Sequence, residues 1–116
     1  MIQVYLSKHN FDAQKVQRFL KERGIAFQVM DLKKHRLGER ELDLFARSAG
    51  NIKNLIDRTD KRVMEHPAAH FSTESLIREA LLEHPGLLVS PITRNGSRIL
   101  IGYDKNALDQ MIAASR

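Results

Sequence analysis

The sequence predicts a single α/β domain built on a mixed four-stranded sheet, and three observations point to it. A strand–helix–strand pattern fills about the first thirty residues, an Asn95-Gly96 hairpin signal lies near the other end, and amphipathic helical segments occupy the interval. The 116 residues, 42% of them apolar, are enough chain for one hydrophobic core.

Each element has its own reason. Ile2, Val4 and Leu6 alternate with Gln3 and Tyr5, the two-residue period of a strand. From about Phe11 to Arg23, the residues Val16, Phe19 and Leu20 form one helical face, with Asn10 or Asp12 as candidate cap. Gly24 stands where a helix commonly stops in the left-handed conformation. Ile25, Phe27 and Val29 then alternate with Ala26, Gln28 and Met30 as a second strand. Two strands joined by a helix over so short a span run parallel with a right-handed crossover.

A basic loop, Lys33-Lys34-His35-Arg36, leads into a helix from Glu39 to Ala49. Leu42, Phe45, Ala46 and Ala49 give it the spacing i, i+3, i+4, i+7, and Gly50 breaks it. Ile52, Leu55 and Ile56 make a short amphipathic piece that ends near Arg58. A helix from Ser72, its expected cap, to His84 turns Ile77, Ala80 and Leu81 inward, and His84-Pro85-Gly86 stops it. Leu87–Thr93 and Arg98–Ile101 are the expected arms of the hairpin. Pro91 is confined to a strand start, an edge or a bend, and is a candidate for a cis bond. Asp104 caps a last helix carrying Leu108, Met111 and Ile112. The order β-α-β, a helical insertion over about 38–84, then β-β-α is thioredoxin-like topology in one domain, 1–116.

Composition narrows the chemistry. With no cysteine, the chain has no disulfide, no zinc–thiolate or iron–sulfur site, and no thiol of its own to react. Nineteen basic against fourteen acidic side chains leave +5, which makes acidic partners, nucleic acid among them, plausible. No apolar run approaches the roughly 20 residues of a membrane span. The opening Met1–Leu6 is too short and too polar at its edges for a secretory signal, so a cytoplasmic location is expected.

Metal and cofactor motifs are thin. His66 and His70 stand four apart with Glu74 four further on, a spacing known from zinc sites. Pro67 biases His66 away from helical geometry, and the glutamate of a His-Glu-x-x-His motif is absent. Loop histidines are the reading, with no metal and no cofactor expected. The Lys33–Arg36 loop could touch phosphates but lacks interleaved aromatics. Ser90 has no identifiable base.

Particular residues bring a family into view. Glu83-His84-Pro85-Gly86-Leu87-Leu88, Pro91-Ile92 and Ile101-Gly102-Tyr103 form a C-terminal block that resembles the arsenate reductase (ArsC)/Spx family, the Spx branch more closely. Val4-Tyr5, Phe19-Leu20-Lys21-Glu22 with Ile25 and Phe27, and Arg58 extend the resemblance over nearly the whole chain. It implies a thioredoxin-like fold with a helical insertion. It also implies one of two activities. Arsenate reductases use a cysteine at the head of the first helix, with arginines around the oxyanion. Spx proteins bind the C-terminal domain of the RNA polymerase α subunit and carry a Cys-x-x-Cys redox switch at that helix head.

The two cysteine positions align with Asn10 and Ala13, and the arginine before the family's Pro-Ile pair aligns with Ser90. Reduction needs a thiolate whose pKa is depressed by a helix N-terminus and nearby cations. An amide cannot form the thiol–arsenic bond, and a hydroxyl cannot replace a bidentate arginine clamp. No catalytic residue is therefore assigned. Gly50 falls at a glycine that Spx proteins use against the polymerase, Arg47 lies near it, and Arg58 matches a family arginine.

Plainer readings stand beside these. Gly50 serves as a helix stop, Arg47 as a solvated helix residue, and Arg58 pairs with Asp57 or Asp60. The expectation is a non-catalytic, Spx-like regulator that docks on the polymerase domain through Arg47, Gly50 and Arg58, with indirect promoter contact. Two rivals remain: an oxidoreductase of arsenate-reductase or glutaredoxin type using an external thiol, and a scaffold for another protein.

Overall fold

The computed structural model describes residues 1–114. Its strands are β1 (Ile2–Leu6), β2 (Phe27–Asp31), β3 (Ile92–Asn95) and β4 (Arg98–Ile101). Its helices are α1 (Phe11–Glu22), α2 (Glu39–Ala49), α3 (Lys61–Glu65), α4 (Glu74–Glu83) and α5 (Lys105–Ala113). The sheet runs in the order β2-β1-β3-β4, with β1 and β2 parallel and the other pairs antiparallel. This is the thioredoxin-like arrangement expected above.

Alternation along β1 divides the core between two faces. Ile2, Val4 and Leu6 point toward α1 and α5, where they meet Ala13, Val16, Phe19, Leu20, Leu108 and Ile112. Tyr5 points the other way into the insertion, among Leu42, Phe45, Leu55, Ile77, Leu81 and Ile92. The Tyr5 and Phe45 rings meet edge to face with centroids 5.0 Å apart. Burial, and to a lesser degree Glu41, pushes the Tyr5 hydroxyl up to about 12.

The caps follow their chemistry. Asn10 Oδ1 accepts the Ala13 N–H at 2.9 Å and opens α1, and Asp104 Oδ1 accepts the Ala107 N–H at 3.1 Å and opens α5. Gly24, at φ +65°, lets the Ile25 N–H return to the Leu20 carbonyl and close α1. The Ser90–Pro91 bond is cis.

Four expectations need correction. β2 begins at Phe27 rather than Ile25, and its fully inward residue is Met30; Val29 is 40% exposed because β2 is an edge strand. Thr73, not Ser72, precedes α4, and no side-chain bond caps that helix. The first hairpin arm starts at Ile92, since Pro85–Leu87 forms a 3-10 turn and Leu88 makes only an isolated bridge to Ile56. His66 and His70 do not lie in a plain loop: His66 ends α3 and His70 closes a 3-10 turn over Pro67–His70. α3 itself, capped by Asp60 Oδ1 on the Arg62 N–H, had no clear signal at five residues.

Candidate functional site

The thioredoxin-like fold brings the head of α1, the end of β1 and the cis-proline turn together. Asn10 does two jobs there. Besides capping α1, its Nδ2 donates to the Ser90 carbonyl at 2.8 Å. Ser90 Oγ in turn donates to the Lys8 carbonyl at 2.7 Å, and Ser7 Oγ donates to the Leu88 carbonyl at 2.7 Å. These bonds bind the loop between β1 and α1 to the segment before β3. Ala13 is fully buried and Ser90 is 8% exposed. The sequence reading of Asn10 as a cap holds, and the Ser90 hydroxyl donates to the backbone while its carbonyl accepts from Asn10.

Charge at this place is arranged against an anion. Lys8 Nζ reaches Asp57 Oδ2 at 2.8 Å and Asp60 Oδ2 at 2.6 Å. One cation between two carboxylates leaves one net negative charge in the triad. Burial pushes the Lys8 ammonium down, but its hydrogen bonds to Asp57 and Asp60 outweigh that and hold it above the usual lysine range. Burial pushes the Asp57 carboxyl up, and the bonds from Lys8 and Thr59 more than reverse this. Lys8 and the Arg62 backbone N–H hold Asp60 below the usual carboxylate range. Asp12 adds an acidic group in the first turn of α1, where the helix dipole favours it.

Sequence reasoning missed this triad. Lys8 lies 49 and 52 residues from its partners, so only the fold brings them together. The triad also corrects the expected pairing of Arg58 with Asp57 or Asp60, because Lys8 takes both carboxylates. Arg58 Nη1 instead donates to the Ala69 carbonyl at 3.3 Å and braces the insertion.

Arg47 and Gly50 do come together. They line an open depression of about 480 Å³ between the end of α2 and the start of α4, with Asn51, Ser75 and an Arg78–Asp43 ion pair around it. Gly50 sits at φ +85°, and a Cβ placed on it would meet nothing within 4 Å. Both readings of Gly50 thus coexist: it ends α2, and it leaves low relief beside an exposed arginine. Arg58 does not line this depression.

The histidines serve the backbone. His66 Nδ1 accepts the Ala68 N–H at 3.1 Å, and His70 Nε2 lies 2.9 Å from the Met64 carbonyl oxygen. Among the described residues no group of three His, Cys, Asp or Glu side chains is placed to hold a metal. No helix among them is long and apolar enough to cross a membrane.

No protein-family model matches the sequence, and no curated protein matches it. Solved structures do. An arsenate reductase from Vibrio cholerae superposes with a TM-score of 0.78 at 17% identity, covering 95% of this chain and 96% of that one. A protein named YffB gives 0.79 at 17% identity over 96% and 98% of the two chains. An arsenate reductase-related protein from Brucella melitensis gives 0.65 at 20% identity over 94% and 92%. The class these likenesses define is the thioredoxin-like fold with its helical insertion, as found in arsenate reductases.

Proposed function

We propose that this chain is a non-catalytic member of the arsenate reductase/Spx group. In this reading it acts by docking, through the α2–α4 surface around Arg47 and Gly50, on the C-terminal domain of the RNA polymerase α subunit. The observation that carries the reading is the closed head of α1. No thiol is present, Asn10 and Ser90 direct their hydrogen bonds to backbone and to each other's segments, and Lys8, two residues before Asn10, is already held by two carboxylates. An arginine beside a flat glycine is an interface anchor of a common kind. Promoter contact is then indirect, through the polymerase domain, and Arg58 contributes by holding the insertion in shape.

Calorimetric titration of the purified chain with that polymerase domain tests this. Saturable binding at or below tens of micromolar is expected, and Gly50→Arg abolishes it while thermal unfolding stays cooperative. Absence of binding at those concentrations, or normal binding by Gly50→Arg, contradicts the reading.

A further inference from the structure

We propose that the outer face of α1 binds single-stranded nucleic acid, at a site separate from the α2–α4 depression. α1 buries Ala13, Val16, Phe19 and Leu20, which leaves Phe11, Lys15, Arg18 and Glu22 in one row at i, i+4, i+7 and i+11 on the opposite side. At 1.5 Å per residue the row is about 16 Å long. Tyr103, just before α5, and Lys105, its first residue, flank the Lys15–Glu22 part of the row and complete a groove of about 460 Å³ with Arg23.

The cations here are mostly free of carboxylates. Arg23 has Asp109 at 3.5 Å and covers the Phe19 ring at 3.6 Å. Lys15, Arg18 and Lys105 have no carboxylate partner among the described residues, and Lys15 lies 5.8 Å from the Tyr103 ring centroid. At the open end of the row Phe11 is 80% exposed, a large apolar ring that contributes nothing to either core face. Tyr103, half-buried, lines the groove beside Lys15.

Lys15 and Arg18 in the row, with Lys105 beside it, outnumber Glu22, the one carboxylate among the described residues that lines the groove without a salt-bridge partner. Tyr103 in the groove and Phe11 at the head of the row add aromatic rings. This suits a strand whose phosphates follow the helix and whose unpaired bases stack on the rings. A duplex keeps its base faces covered and gains only the electrostatic part. The Lys33–Arg36 loop, also basic, lacks such aromatics.

Fluorescence anisotropy with a labelled thymidine oligomer of about 12 nucleotides tests the proposal on the full chain. Neutralising three phosphates on a single strand gives a slope near −2 in log affinity against log salt, so binding weakens about twenty-fold between 50 and 200 mM salt. Lys15→Glu with Arg18→Glu removes binding, and Phe11→Ala weakens it about five-fold or more. These side chains are exposed, so the substitutions leave the core intact. No binding at about 50 mM salt overturns the proposal. So does a duplex of equal length binding as tightly, or full binding by the Lys15/Arg18 variant. Loss of binding in a Lys33→Glu/Lys34→Glu variant, with the Lys15/Arg18 variant unaffected, assigns the activity to the loop and also overturns it.

Discussion

Lys8 lies two residues before Asn10, the cap of α1. A cation near the head of α1 would favour an anion, yet here it is taken up by Asp57 and Asp60. The linkage follows from the directions of the shifts. The two lowered carboxylates stabilise the fold above about pH 4, and that contribution is lost as pH falls through their folded values. The raised lysine contributes fully below about pH 10 and is lost as pH rises through its folded value.

Lys8→Met leaves Asp57, 7% exposed, without its cation, at an expected cost of about 2–3 kcal/mol at neutral pH. In that variant only Thr59 on Asp57 and the backbone N–H groups on Asp60 still favour the two carboxylates, so denaturant midpoints between about pH 3 and 6 rise less steeply with pH than in the parent chain. A midpoint curve parallel to that of the parent chain would show that the triad is not the acid-sensitive element. A second residue offers the reverse test. Thr93, fully buried in β3 opposite Val4, has a hydroxyl with no hydrogen-bond partner among the described residues. Thr93→Val keeps the shape and removes the orphan, and unfolding should show a gain of about 1 kcal/mol.

The elements that could be read from the sequence are those whose signal is local. α1, α2 and α5 have one-face apolar spacing and short-range caps, and α2 occupies Glu39–Ala49 as the spacing predicts. The Asn95-Gly96 turn places β3 against β4 with Asn95 opposite Arg98. α3 and the Pro67–His70 turn escaped because five and four residues hold barely one turn of periodicity. Of the site, Asn10 was legible as a cap because its acceptor role lies three residues away. Its second bond to Ser90, 80 residues distant, and the Lys8 triad depend on topology and were not. The element that presents the docking surface is α2, and its anchor is Phe45 against Tyr5. Phe45→Ala should cost about 3–5 kcal/mol in chemical denaturation and loosen α2. A loss below about 1 kcal/mol would mean that α2 is held by other contacts.

At the scale of the whole molecule, one sheet separates two differently built sides. The insertion side carries the low-relief depression proposed for the polymerase domain, and the α1–α5 side carries the basic, aromatic-ended row proposed for a single strand. Between them lies the head of α1, tied to the cis-proline turn by backbone-directed hydrogen bonds and bordered by an ion triad. The likeness to the Vibrio cholerae structure, at a TM-score of 0.78 and 17% identity, shows that the frame itself is shared.

The most direct test of the closed site is therefore an arsenate reduction assay with the purified chain and glutathione as the external thiol. Arsenite should form at the protein-free rate across neutral pH, and a rate that rises in proportion to the chain's concentration would contradict the account.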